Sequence, residues 1–351
     1  MKYLYGASIQ GIQSFIFETN ELRDIVGASE MIELITSDNS DNDLNFRRFF
    51  EENGNDQYEI ILAAAGNIRV TAKTKEVLKE IVLNFPMHLT KHVPGLTVSQ
   101  AVVEIKDNSL KEATRELEEK LKIQRNIKTR PAYITALGIE RAPRTGKSAV
   151  SKGKKGPQDR SSLMKNKYAD NEPSLLASKL LDSEAETKKF PKNVSDIVKG
   201  MEISWLSVIH ADANDLGKLL QKVSDKAEKD SKLSVRDFSE KLNKTTVEAA
   251  KQAFEEIIAK KSDKGSYPFR PIVIGGDDLT VICRGDLALD FTETYIKAFE
   301  SLAKAKLEAY LEGETIKVCA GISYVKDKFP FHYAVKLADD LCSYAKKVSK
   351  E

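Results

Sequence analysis

Asp277 and Asp278 are the residues of this 351-residue chain with the plainest capacity for chemistry. They stand in Pro271–Gly285, PIVIGGDDLTVICRG, between the apolar runs Ile272–Ile274 and Leu279–Cys283. Both flanks favour strand, and Gly275-Gly276 between them reads as the turn of a tight β-hairpin. Two adjacent carboxylates at a hairpin tip repel each other. A divalent cation removes that penalty, because Mg²⁺ and Mn²⁺ bind hard carboxylate oxygens together with substrate phosphates. The plain alternative is a solvated turn, in which Gly and Asp are ordinary residues. The hairpin therefore calls for a partner carboxylate elsewhere.

Asp212 is that partner. In Ser207–Gly217, SVIHADANDLG, an apolar strand runs to Asp212, and a helix is expected from about Asn214. Alone, Asp212 reads as a helix cap. With its strand beside the hairpin, it would meet Asp277 and Asp278 across one to two strand spacings, ~5–10 Å. The three carboxylates are thus candidate ligands of a Mg²⁺ or Mn²⁺ pair, with Asp277 and Asp278 the candidate catalytic residues. The helix start offers the backbone N–H groups of Ala213, Asn214, Asp215, Leu216 and Gly217 to a triphosphate. Gly275 and Gly276 complete that expected phosphate-binding set.

The elements that must position these groups repeat. Strand patterns fall at Tyr3–Ile9, Tyr58–Ala64, Ile68–Ala72 and Leu96–Ile105, with helical patterns at Ile12–Phe17, Ala28–Ile35, Lys75–Phe85 and Asp107–Gln124. The last carries Leu110, Ala113, Leu117 and Leu121 on one face. Polar Asp38–Asn45 reads as a loop. The second half repeats the order with strands at Ile203–His210, in the hairpin and at Thr315–Tyr324. Its helices are expected at Asn214–Val223, Val235–Ala259, Leu287–Leu311 and Tyr333–Val348. The fold expected is α/β (α+β): two ferredoxin-like palm domains (β-α-β-β-α-β) in tandem, joined by a basic linker. In a sheet of this kind the first strand and the hairpin are central neighbours, which brings Asp212 to the hairpin tip. The expected domains are residues 1–130, a linker at 131–200, and residues 201–351.

The linker's first part carries Arg141, Arg144, Lys147, Lys152, Lys154, Lys155, Arg160, Lys165 and Lys167 against the single acid Asp159. With its Gly, Ser and Pro content it reads as a flexible loop, or as a place for RNA or another nucleic acid over residues 141–167. Gly146-Lys147-Ser148 is not a phosphate-binding loop, because Arg141 stands where the motif needs glycine. The net charge of +2 points to no polyanionic partner for the whole chain. No apolar run has the length of a membrane span and no signal-peptide pattern opens the chain, so a cytoplasmic protein is expected. Cys283, Cys319 and Cys342 show no CxxC pair and read as reduced core residues.

An Asp on the first strand plus GGDD on the hairpin resembles the palm of nucleotide polymerases and cyclases, including GGDEF diguanylate cyclases. The last helix, YAVKLADDLCSYAKK, is similar to the closing helix of GGDEF domains, where a lysine binds substrate phosphate; the matching residue is Lys346. Gly6–Ile32 and AAAGNIRV (Ala63–Val70) resemble the first palm of the large polymerase-like subunit of type III CRISPR effector complexes. Ser8 occupies that family's aspartate position and Ala64-Ala65 replace glycines, which implies a first palm inactive in itself. Ser29 and Asn67 are the family-matched candidates for holding a second nucleotide. The family's N-terminal HD nuclease domain, zinc knuckle and C-terminal helical domain have no counterpart in the sequence, which suggests a trimmed relative.

The resemblance implies a nucleotidyltransferase that converts NTPs, ATP above all, into cyclic di- or oligonucleotides with two Mg²⁺ or Mn²⁺, in CRISPR-type antiviral defence. A template-dependent polymerase or primase on the same palm is the first alternative, and it needs a polyanion channel. A non-catalytic nucleotide- or RNA-binding subunit is the second. Partners are then a homodimer copy or CRISPR effector subunits.

Overall fold

The computed structural model describes residues 2–37, 42–54, 58–64, 66–106, 109–127, 138–153, 156–171, 173–202, 204–227, 234–261, 265–311 and 313–349. Ala65, Lys154, Lys155 and residues 38–41 and 131–137, on which expectations fell, lie outside them. Packing groups the chain into two units, Met1–Thr19 with Glu30–Asp170, and Asn20–Ser29 with Asn171–Glu351.

The first unit contains β1 (Lys2–Gln10), α1 (Ile12–Ile16), the end of α2 (Leu22–Thr36), α3 (Phe46–Gly54), β2 (Tyr58–Ala64), β3 (Asn67–Ala72), α4 (Lys75–His92), β4 (Thr97–Ile105) and α5 (Leu110–Asn126). Its sheet is antiparallel in the order β2-β3-β1-β4, the ferredoxin-like arrangement. Alternation along β1 sends side chains to opposite faces. Leu4 joins Leu117 and Leu121 of α5 in one cluster, and a Cβ at Gly6 would lie 2.6 Å from Leu117. Tyr5 on the other face meets Phe50, within an aromatic group that includes Phe46, Phe49 and Phe85 of α3 and α4. α4 runs seven residues beyond Phe85, through Pro86, because Leu89 of its next turn is also buried.

Over its described residues the basic stretch is built structure, which corrects the flexible-loop expectation there. β5 (Ala149–Gly153) and β6 (Gly156–Asp159) form a hairpin that leads into α6 (Arg160–Ala169). Asp159 caps α6 by accepting from the Ser162 N–H at 3.1 Å, and takes the Thr145 hydroxyl at 2.7 Å. Lys165 is fully buried, donating to the Phe15 carbonyl at 2.6 Å and to Glu18 at 2.8 Å. Lys147 pairs with the same Glu18. Burial would raise the Glu18 carboxyl, but hydrogen bonds from Lys147 and Lys165 hold it below its ordinary range. These two lysines are thus structural counterions rather than open ground for a polyanion.

The second unit holds the short helices α7 (Leu175–Ser178), α8 (Glu184–Thr187) and α9 (Val194–Ile197). Then follow β7 (Trp205–Ala213), α10 (Leu216–Ala227), α11 (Val235–Ala253), β8 (Phe269–Gly275), β9 (Asp278–Arg284), α12 (Ala288–Leu311), β10 (Val318–Lys326) and α13 (Phe331–Val348). The sheet repeats the first, in the order β10-β7-β9-β8. One face, through Ile209, Ala211, Leu279, Val281 and Cys283, shares a core with Phe238, Phe254, Phe291, Tyr295 and Phe299 of the α11 and α12 layer. The other face carries His210 and Thr280 and is covered by α13. A Cβ at Gly321 would lie 2.0 Å from the Ala338 carbonyl oxygen and 2.6 Å from the Cys342 amide. Glycine there lets the helix backbone rest directly on the strand. The cysteines are free; Cys283 and Cys342 are buried and Cys319 is half-buried. Among the described residues no helix is long and apolar enough to cross a membrane.

Candidate metal and nucleotide centre

Register builds the site. Gly275 pairs with Asp278, so the two-residue turn is Gly276-Asp277, one position later than the Gly-Gly pair suggested. Gly276 takes φ 63, the positive value that the first position of a type II′ turn needs. On the neighbouring strand Ala211 pairs with Leu279, and continuing that register sets Asp212 opposite Asp278. Directly opposed residues place their side chains together on one face of the sheet. The carboxylate oxygens of Asp212, Asp277 and Asp278 come within 4.8 Å of one another, the one such group of three potential ligands among the described residues.

The electrostatics are those of a site that favours a cation. Burial pushes the Asp277 carboxyl up, helped by the charges of Asp278 and Asp212. Burial and the charge of Asp212 push Asp278 up, against the pull of His210 and Lys346. Lys346, in the last turn of α13, pairs with Asp212 and donates to the Ala213 carbonyl at 3.0 Å. Burial opposes the Lys346 charge, but Asp212 holds its ammonium above the ordinary lysine value. A single ammonium against three carboxylates leaves negative charge uncompensated. Hard oxygen donors in that state fit Mg²⁺ or Mn²⁺.

One step down the sheet face, His210 meets the Thr280 hydroxyl through Nδ1 at 3.0 Å, and its Nε2 lies 3.6 Å from the Asp339 carboxylate on α13. This pair escaped the sequence reading, although His210 and Thr280 share the two-residue spacing from Asp212 and Asp278 that marks one face.

The phosphate set is narrower than expected. The Asn214 amide is spent on the Lys317 carbonyl at 2.8 Å, and Ala213 closes β7. Asp215 takes φ 54, and α10 begins only at Leu216. Amides of a first helical turn have no intrahelical acceptor, which leaves those of Leu216 and Gly217 as the candidate anion donors at this helix start. The Gly276 amide donates to Asn243 of α11 at 2.9 Å, so it too is engaged. Gly275 serves the turn by pairing Asp278.

The first unit shows what a palm looks like without the acids. Ser8 pairs with Asn67 in register, and its hydroxyl donates to the Asn67 side chain at 3.1 Å. That neutral pair stands where Asp212 and Asp278 stand in the second unit. Asn67 is thereby engaged within its own sheet. Ser29, the other candidate for a second nucleotide, is buried and donates to the Ile25 carbonyl.

Residues 205–351 match the family model described as Cas10/Cmr2, second palm domain. No curated protein matches. Among solved structures, a Csm1–Csm4 cassette in complex with one ATP superposes with TM-score 0.62 at 13% identity, covering 99% of this chain and 53% of that one. A Csm1–Csm4 cassette in complex with cA4 gives 0.60 at 16%, covering 99% and 53%. Csm1 of T. onnurineus gives 0.58 at 15%, covering 99% and 51%. At these identities the likeness concerns the fold, and the chain spans about half the length of the chains it matches. The family expected from the two palm patterns, that of the type III CRISPR large subunit, is the one the comparisons return, on its second palm domain over residues 205–351 and on the fold over nearly the whole chain.

Proposed function

We propose that the second unit is a nucleotidyltransferase centre that joins NTPs, ATP above all, into cyclic di- or oligonucleotides in CRISPR-type defence. The observation that carries this reading is the convergence of Asp212, Asp277 and Asp278 within 4.8 Å on a palm sheet. Those three side chains would hold Mg²⁺ or Mn²⁺. Bound there, the metal supplies Lewis-acid polarisation of phosphoryl oxygens and activation of a ribose hydroxyl. The chain's own groups do the rest. The Leu216 and Gly217 amides would bind phosphate oxygens at the start of α10. The Lys346 ammonium, held beside Asp212, would offset charge on the triphosphate. Complexes of the related cassettes with ATP and cA4 support an adenine nucleotide as substrate.

The same comparison supports subunits of a CRISPR effector complex as partners. The Ser8–Asn67 pair supports a first unit without metal chemistry of its own. Incubation with labelled NTPs and Mn²⁺ tests the reading. Pyrophosphate release is expected from the parent and not from an Asp277→Ala/Asp278→Ala double variant; equal release from both would overturn it.

A further inference from the structure

The hairpin tip presents a mechanical problem. A two-residue turn entered from Gly275 and opening on Gly276 has a soft backbone, because glycine lacks the steric restraint of a Cβ. Yet this turn must hold Asp277 and Asp278 against each other and against Asp212, all of which repel. Metal affinity depends on ligand geometry that is set in advance by groups behind the ligands.

α11 supplies such groups. Asn243 and Thr246 are three residues apart, hence neighbours on one helix face. The Asn243 Oδ1 accepts the Gly276 N–H at 2.9 Å, and the Thr246 hydroxyl donates to the Gly276 carbonyl at 2.6 Å. Both polar groups of the residue before Asp277 are therefore fixed by one helix. From just beyond α7, Lys179 donates to the Ile274 carbonyl at 2.6 Å, on the strand leading into the turn. A Cβ at Gly275 would lie 3.3 Å from the Asn243 Oδ1 and 3.7 Å from the Lys179 Nζ, so helix and strand approach closely between the two contacts. All three side chains grip the backbone and leave the carboxylates facing Asp212.

We infer that Asn243, Thr246 and Lys179 are positioning residues that set the turn for cation binding by Asp277 and Asp278. The inference rests on the reading of the acidic trio as a metal site and assigns that site's geometry to α11 and to the residue after α7.

Mn²⁺ titration of the full chain, followed by electron paramagnetic resonance and paired with thermal unfolding, tests it. Thr246→Val keeps the shape and removes the donor; Thr246→Ser keeps the donor. Thr246→Val is expected to weaken Mn²⁺ affinity about 10-fold or more, the usual effect of losing a group that orients a ligand. Thr246→Ser should bind within about twofold of the parent. Asn243→Ala is expected to weaken affinity like Thr246→Val, and serves if the valine variant fails to fold. Unchanged affinity in a folded Thr246→Val or Asn243→Ala chain, or equal loss in Thr246→Ser and Thr246→Val, would overturn the inference while the parent's binding leaves the metal reading intact. A parent chain that binds no Mn²⁺ would overturn both.

Discussion

Gly321→Ala puts the packing that seats Lys346 under direct strain. The added Cβ would lie 2.0 Å from the Ala338 carbonyl oxygen, 2.6 Å from the Cys342 amide and 2.8 Å from the Leu341 Cβ, where ordinary contact begins near 3.4 Å. The two nearest obstacles are helix backbone and cannot rotate aside, so α13 must withdraw by more than an ångström. Ala334, Ala338 and Cys342 are then uncovered, and Lys346, one turn after Cys342, is drawn off Asp212. Overpacking a core costs about 1–3 kcal/mol, and backbone obstacles place this case near ~3 kcal/mol. For a unit of this size that corresponds to a fall in Tm of about 6–12 °C. Thermal unfolding followed by circular dichroism reads the shift. Gly217→Ala is the control, because a Cβ there meets nothing within 4 Å and its helical position gains from alanine. A Gly321→Ala chain whose Tm stays within about 2 °C of the parent, a change worth less than ~1 kcal/mol, refutes the close approach of α13 to β10.

Three further outcomes follow from the charges. Asp278→Asn removes one of three half-buried like charges and should raise stability at pH 8 by about 1–2 kcal/mol while abolishing Mn²⁺ binding, measured by urea denaturation and metal titration. Glu18→Ala strips the buried Lys165 of its carboxylate and should cost the first unit about 3 kcal/mol in urea denaturation; a loss below ~1 kcal/mol would contradict the account of the basic stretch. Burial, aided by the charge of His92, pushes His88 down from 6.5 to about 4. The unfolded chain then takes up a proton that the folded unit refuses, so stability is full above about 6.5 and falls as pH drops toward 4. His88→Phe, beside Phe85 and Phe49, should flatten that acid-side loss in urea midpoints taken at pH 7.5 and pH 5.

The acidic trio was legible because its signals are local: apolar strand runs end at Asp212 and surround Asp277-Asp278, and sheet topology does the rest. The repeated β-α-β-β-α-β order was legible for the same reason, as period-2 and period-3.6 patterns. The helix after Asp212 starts two residues later than its pattern suggests, since the left-handed Asp215 and the Asn214–Lys317 bond leave no mark in composition. The basic stretch has the composition of a loop because its order depends on Glu18, which lies 147 residues from Lys165. Side chains that grip backbone are silent too. Asn243, Thr246 and Lys179 look like ordinary polar residues of surface helices until the turn they hold is in place.

On the proposed reading, the second unit joins NTPs into cyclic nucleotides at Asp212, Asp277 and Asp278. Mass spectrometry of products after incubation of the full chain with all four NTPs and Mn²⁺ tests it most directly. Cyclic di- or oligoadenylates are expected from the parent and none from the Asp277→Ala/Asp278→Ala variant. Unconsumed NTPs in the parent reaction, or the same products from the variant, would contradict it.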